Sequence, residues 1–410
     1  MGCGSSRIGP DLPAANNWKQ WPAGSYPTRF VELASPEDAD DTAGNGFLFV
    51  ESCAYNRIFD ADNFYVPVQH TDSSCHIYKV SVSDGSKKAE RVHQVVKKSD
   101  GEKMISPFGS ALSDEGVLWL CCFNENMVCG VDLRSGEMVV EATVPAPNDI
   151  CVSDDGKYVY AGCGSWLGKV PLPAGAGTIW RVQTAAPYTC KKVVGRAQGT
   201  MAGIAEVKGK LFCAHLQRMS VYGSRRKMYE LSGLKKQIWT GLCSQDADPE
   251  KVDKFYLADN LAWWDAEKPR KVILTPAYRS LPAPLGHILD RSTGVNAVGW
   301  SAARAATTLL RLKEGGIEEV AKVNDDGLSP EVDLKFSKGD DFPHVHICLY
   351  NTETGATANH VFLLDKAVQG ADFDGHVTHA EHVGDGKVAC VNFLKRKVLI
   401  IDTKGIITLP

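Results

Sequence analysis

Apolar and polar residues along this chain fall into short runs rather than helical stripes. From residue 47 a unit recurs: an apolar strand, a turn closed by Asp-Gly or a relative, a second apolar strand, then a polar one. The units read FLFVESCAYNRIFDADNFYVPVQ (47–69), PFGSALSDEGVLWLCCFN (107–124), PNDICVSDDGKYVYAGCG (147–164), MAGIAEVKGKLFCAHLQ (201–217), TGLCSQDADPEKVDKFYLADN (240–260) and VTHAEHVGDGKVACVNF (377–393). Each is followed by a further strand-like stretch, such as CGVDL, TIWRV, RKVIL or KVLIID. Side chains alternate with period two or run apolar, and the turns carry hairpin chemistry. Helical periodicity is almost absent; its best candidate, residues 302–312, reads equally as a strand.

Short strands in repeated groups predict an all-β chain folded as a β-propeller. A small sheet cannot bury both faces alone. Closing a ring of sheets buries the faces and shortens the edges. Six units predict a six-bladed ring over residues 46–410. The stretch 281–345 is an insertion, or makes seven blades if VNAVGWS and HVHICLYN form a blade of their own. The strand that closes the ring can come from either terminus.

Residues 1–45 read differently, as a flexible tail. They are rich in Pro, Asn and Asp, carry Trp18, Trp21 and Tyr26, and end in the acidic run PEDADD. The two Trp residues are expected to pack on the domain. The chain begins M-G-C-G-S-S-R. Gly2 with Ser6 fits the N-myristoylation pattern, and Cys3 stands where a palmitoyl group is added. One myristoyl chain holds a membrane only marginally, so two signals are required. The expectation is a lipidated tail holding the ring at the cytoplasmic face of a membrane; an unacylated Gly/Ser-rich start is the alternative, leaving a cytoplasmic protein. The basic clusters SRRK (224–227) and LKRK (394–397) then offer contacts for anionic lipid.

Composition narrows the classes. The 410 residues include 45 basic and 49 acidic ones, a net charge of −4, so nothing supplies the basic excess of a nucleic-acid binder. A hydrophobic share of 44% excludes wholesale disorder, and no apolar run is long enough for a transmembrane helix. The 13 cysteines are scattered without a C-x-x-C pair, several inside apolar runs such as LWLCCF. They are expected to be buried, reduced thiols in a reducing compartment.

Candidate chemistry sits where inner propeller strands begin, since those positions converge on the channel. They read Glu51, Phe108 or Gly109, Asn148 with Asp149, Met201 or Ala202, Thr240, and Thr378 with His379. Carboxylates and amide carbonyls suit Ca²⁺. Asp259 and Asn260, in FYLADNLAWW, are a further source of oxygen ligands, or a turn that caps a strand. Six of the 11 histidines fall late: His344, His346, His360, His376, His379 and His382. His344 and His346 share one strand face, a spacing that suits a transition metal or a general base, or else are histidines bonded to backbone. His379 shares a face with Glu381, which can orient it. No G-x-S-x-G nucleophile elbow is present.

Two of these stretches carry a resemblance. VESCAYN is similar to the E-x-P-V-W opening of the six-bladed propeller superfamily that holds regucalcin and gluconolactonase, paraoxonase and strictosidine synthase, with Glu51 at the metal-ligand position. PNDICVSDDGKYVYAG is similar to that family's P-N-D motif, with Asn148 at the axial polar position. The Asp259-Asn260 pair resembles the paraoxonase ligand pair. The resemblance covers most of residues 47–410 and implies an axial divalent cation, usually calcium, with lactonase or esterase chemistry. Strictosidine synthase-like members imply the same ring without an essential metal. The chain departs from the pattern at Met201 or Ala202 and at Thr240, where metal-dependent relatives carry Asn and then Asp or Asn. The expected function is a membrane-tethered propeller hydrolase acting on a small ester or lactone. Glu51 and Asn148 would hold the cation, and Asp149 or His379 would activate water. The alternatives are a metal-free synthase-like enzyme and a non-catalytic scaffold for protein partners.

Overall fold

The structure, a computed structural model, describes residues 18–33, 47–70, 74–101, 105–164, 166–167, 170–171, 177–197, 200–207, 210–216, 224–230, 237–240, 256–258, 262–264, 270–279, 307–313, 316–323, 344–351, 353–354, 357–364, 377, 379–391 and 397–409. Every named element among them is a strand. Six sheets of four or more strands make up the blades of a propeller. None of the described residues forms a helix long and apolar enough to cross a membrane.

Four blades follow the chain directly from the inner strand outward. The first runs Phe47–Phe49, Asn63–His70, Cys75–Ser81, Glu90–Val95. The second runs Pro107–Leu112, Val117–Cys122, Met127–Asp132, Met138–Thr143. The third is Pro147–Val152, Tyr158–Cys163, Gly177–Gln183, Cys190–Ala197, and the fourth Thr200–Val207, Lys210–Leu216, Ser224–Glu230, Gln237–Thr240. Asp-Gly chemistry closes the first hairpin of the third blade. Gly156 takes φ +72° there and its amide bonds the Ser153 carbonyl at 2.9 Å, a backbone that a side chain disfavours.

The fifth and sixth blades borrow from the N-terminus. In the fifth, Tyr256–Ala258 and Ala262–Trp263 both pair with Val272–Arg279, followed by His344–Asn351 and Thr357–Leu363. Trp18–Trp21 then adds in parallel to its outer edge. In the sixth, His379–His382, Lys387–Val391 and Lys397–Asp402 are completed by Thr28–Glu32. Trp18–Trp21 and Thr28–Glu32 are therefore strands of the ring, although they fall within the stretch 1–45 expected as a tail. The closing strand comes from the N-terminal side. HVHICLYN belongs to the fifth blade, so it does not found a seventh. Residues 307–313 form a strand, paired with Gly316–Val323, which resolves the helix-or-strand ambiguity there.

Apolar faces of adjacent blades meet in seams, which is where the core sits. Leu399 and Ile401 of the sixth blade pack with Leu274, Ile347 and Phe362 of the fifth. Val31, Leu33 and Ile400 pack with Phe64, Val66 and Tyr78 of the first. Ile77 meets Leu118 and Leu120; Trp119 and Val128 meet Ile150 and Val159; Ile179 meets Ile204 and Leu211. Thr200–Val207 of the fourth blade lies beside Ala262–Trp263 of the fifth, which completes the circuit. Each fully buried Leu, Ile or Phe in these seams contributes roughly 1.5–3 kcal/mol.

Nine cysteines have described side chains, all free; eight are buried and Cys190 is half-buried. Burial pushes the thiols of Cys53, Cys75, Cys121 and Cys122 well above their usual range, the behaviour of small core hydrophobes.

Candidate functional site

Inner strands of the first four blades share one device. Each has a register shift near its start, at Phe47/Phe49, Pro107/Ser110, Pro147/Asp149 and Met201/Gly203. A bulge lets a strand turn selected side chains away from plain alternation. Polar ties then bind one inner strand to the next. Ser52 Oγ donates to the Phe108 carbonyl at 2.6 Å and shares a hydrogen with Ser110 Oγ at 2.8 Å. Asn56 Nδ2 donates to the Leu112 carbonyl at 3.0 Å and to Asp114 at 2.8 Å. Asp149 Oδ2 accepts from the Ile204 amide at 2.8 Å, joining the third blade to the fourth. Gly109 backs onto Asp149 so closely that a Cβ there would lie 2.5 Å from Asp149 Cα.

Further along the inner strands a cavity of about 60 Å³ opens. Its walls come from five blades: Ala54 and Tyr55; Ser110, Ala111 and Leu112; Ile150, Cys151 and Val152; Ala262, Trp263 and Arg270; His379, Glu381 and His382. His379 is 2% exposed, and its Nε2 lies 3.1 Å from Glu381 Oε2. The two are neighbours because residues two apart on a strand share a face. Among the described residues His379 Nδ1, which is buried, has no hydrogen-bond partner. Burial raises the Glu381 carboxyl above the ordinary glutamate range, while His379 and Arg270 pull it back down. Burial lowers Arg270, and Glu381 works against that most strongly. The Arg270 guanidinium lies 5.9 Å from the centre of the Trp263 ring, and His382 stacks on Trp264 at 4.6 Å. An imidazole held by a carboxylate, beside a buried guanidinium, can move a proton and favour negative charge next to it.

The residues picked from the sequence are thus split. Among the cavity walls it anticipates His379, with Glu381 as its partner. Glu51, half-buried, lies just past the end of the first inner strand Phe47–Phe49, whereas Asn148 and Asp149 stand at the start of the third. Asp259 and Asn260 lie outside the described residues, as do Gly2, Cys3, His376 and Thr378. Thr240 ends the outer strand of the fourth blade and does not open the fifth. QIWT has the apolar-polar look of either kind of strand, so blade order there is not readable from pattern. His360 sits at the outer edge, where its Nδ1 accepts from Trp21 Nε1 at 3.2 Å. Arg270 and Trp263 escape sequence reasoning. An arginine two residues before an apolar run looks the same in solvent as in a channel. Among the described residues no group of three or more His, Cys, Asp or Glu side chains is placed to hold a metal ion. Glu51 and Asn148 supply side-chain oxygens and one Asp149 oxygen is on the Ile204 amide, against the six to eight oxygens calcium takes from side chains, backbone carbonyls and waters together.

Comparisons with known proteins return structures but no sequence relatives. A scan against protein-family models and a search of curated proteins match nothing. Among solved structures, the chain is similar to a gluconolactonase from Xanthomonas campestris at 9% identity and TM-score 0.46, covering 87% of each chain. It is similar to U3-55K at 10% identity and TM-score 0.49, covering 93% of this chain and all of the other. It is similar to hydrazine synthase from Kuenenia stuttgartiensis at 11% identity and TM-score 0.45, covering 85% of this chain and 76% of the other. Likenesses of this size carry nothing about activity, and one ring hosts many chemistries.

Proposed function

We propose that this propeller is a hydrolase of small esters or lactones whose reaction centre is the channel cavity. The observation that carries the reading is the His379–Glu381 pair on the cavity wall, with Nδ1 of His379 buried and unpaired among the described residues. Glu381, as carboxylate, accepts the Nε2 proton and fixes the tautomer that leaves a lone pair on Nδ1. Nδ1 takes a proton from water as the water oxygen attacks the ester carbonyl. The imidazolium then returns that proton to the departing alkoxide. The products are an acid and an alcohol, or a hydroxy acid from a lactone. No step is routed through a metal. Asp149 enters as a tie between blades, a role its geometry supports better than water activation.

The test is turnover on a panel of aryl esters and small lactones. Wild type hydrolyses at least one class, and His379→Gln and Glu381→Gln each lower kcat by about 10²–10⁴. Wild-type protein inert towards every member would sink the reading, as would His379→Gln at full rate. Lipid anchoring belongs to the same proposal and rests on the M-G-C-G-S-S start. In cells that carry N-myristoyltransferase, mass spectrometry is expected to find acylated Gly2 and Cys3, and Gly2→Ala to release the protein from membranes to cytosol. An unmodified N-terminus refutes the anchor and leaves the hydrolase reading intact.

A further inference from the structure

Six buried side-chain polar atoms lack a hydrogen-bond partner among the described residues. Three of them belong to walls of one cavity: Arg270 Nε, Trp263 Nε1 and His379 Nδ1. Buried polar atoms are nearly always paired, so three orphans on one small cavity need a common explanation. The arginine Nε and the indole Nε1 are donors only. What they lack is therefore an acceptor. The acid that most favours the charged form of Arg270 is Glu381, and Glu381 is already bonded to His379. The guanidinium also lies near the Trp263 ring, which leaves its charge in place without supplying an oxygen.

We infer that the cavity is a carboxylate-binding site in which Arg270 Nε–H and Trp263 Nε1–H take the oxygens of a small carboxylate. Resting on the hydrolase reading, this makes the substrate an ester or lactone that carries an acid group of its own. Arg270 Nε–H and Trp263 Nε1–H, not a surplus of charge, are what select an acceptor. Glu381, Asp154 and Asp114 all act electrostatically on Arg270, so their repulsion disfavours a doubly charged phosphate more than a singly charged carboxylate. The carboxylate would hold the ester beside His379, and binding energy from a part of the substrate that does not react would position the part that does.

Binding is tested apart from turnover, on the full chain, by thermal melting and calorimetry with sodium propionate and sodium benzoate. Propionamide and inorganic phosphate at matched ionic strength are the controls. The carboxylates are expected to raise Tm by about 2–4 °C at saturation, because a ligand of the folded state stabilises it by mass action. Propionamide and phosphate are expected to leave it unchanged. His379→Gln keeps the carboxylate shift and loses hydrolysis. Arg270→Gln loses the shift, and Arg270→Lys weakens binding by about tenfold or more, since a lysine has no Nε donor in a planar fork. If Arg270→Gln does not fold, Arg270→Lys and Trp263→Phe carry the test. Equal shifts with propionamide or phosphate, no shift with either carboxylate, or unchanged binding in Arg270→Lys and Trp263→Phe overturn the site. Hydrolysis of neutral esters without carboxylate binding would end this inference and spare the hydrolase. Carboxylate binding without any turnover would do the reverse.

Discussion

Asp149 shows how one residue type serves two readings. At 1% exposure it gives an oxygen to the Ile204 amide and backs against Gly109, so it ties three inner strands together. Asp149→Ala would strand that buried amide and cost about 1–3 kcal/mol, read as a lowered urea midpoint. Asp149→Asn keeps an acceptor and is expected to cost less. Full stability with lost turnover in Asp149→Ala would instead make the carboxylate a chemical group. Glu381 is the complementary case. Its carboxyl is held high by burial, and the ionised form is the stronger acceptor for His379 Nε2–H and the better partner for an imidazolium. Turnover is therefore expected to rise with pH through an inflection above the ordinary glutamate range. The Glu381→Gln variant should lose that acid limb along with most of its rate; a limb unchanged in Glu381→Gln would remove Glu381 from the mechanism. Strand parity made the pairing of His379 with Glu381 legible in the sequence, because side chains two apart must share a face. Nothing comparable marks Arg270, whose acidic neighbours come from other blades.

At the scale of elements, the N-terminal strands are where pattern fell short. Thr28–Glu32 and Trp18–Trp21 are short, lie among Pro, Asn and Gly, and have no repeat of their own to announce them. Their order comes from tertiary pairing, with the sixth blade and the fifth respectively. The outer strap depends on a neutral imidazole. Trp21 Nε1 can only donate, so His360 Nδ1 must accept, and burial with Lys19 nearby lowers the His360 pKa to about 4. Because the unfolded chain takes up this proton first as pH falls, the neutral ring's contribution is whole above about pH 6.5 and is lost as the pH approaches about 4. It amounts to about 3 kcal/mol at most. Urea midpoints are expected to drop more between about pH 7 and about pH 4.5 in wild type than in His360→Asn, whose amide oxygen accepts from Trp21 without titrating. Equal slopes in the two proteins would place the acid sensitivity elsewhere.

At the scale of the whole molecule, the ring was legible because the blades repeat the same turn chemistry and the same apolar seam, while an axial ion was implied only by the resemblance. An axial calcium needs oxygens from several blades at once. The described residues offer Glu51 and Asn148, with Asp149 committed in part to the Ile204 amide. Met201 and Thr240 offer little. Thr240 is not on an inner strand at all. Chelator-stripped full-length protein is therefore expected to melt at the same temperature with and without added Ca²⁺, and hydrolysis to survive chelation. A rise of several degrees with Ca²⁺ would contradict that and bring Asp259 and Asn260 forward, since in sequence only Leu261 separates them from the channel strand Ala262–Trp263. The double variant Asp259→Asn, Asn260→Ala would then have to abolish the rise. A rise with Zn²⁺ alone would point to His344 and His346 on the fifth blade instead.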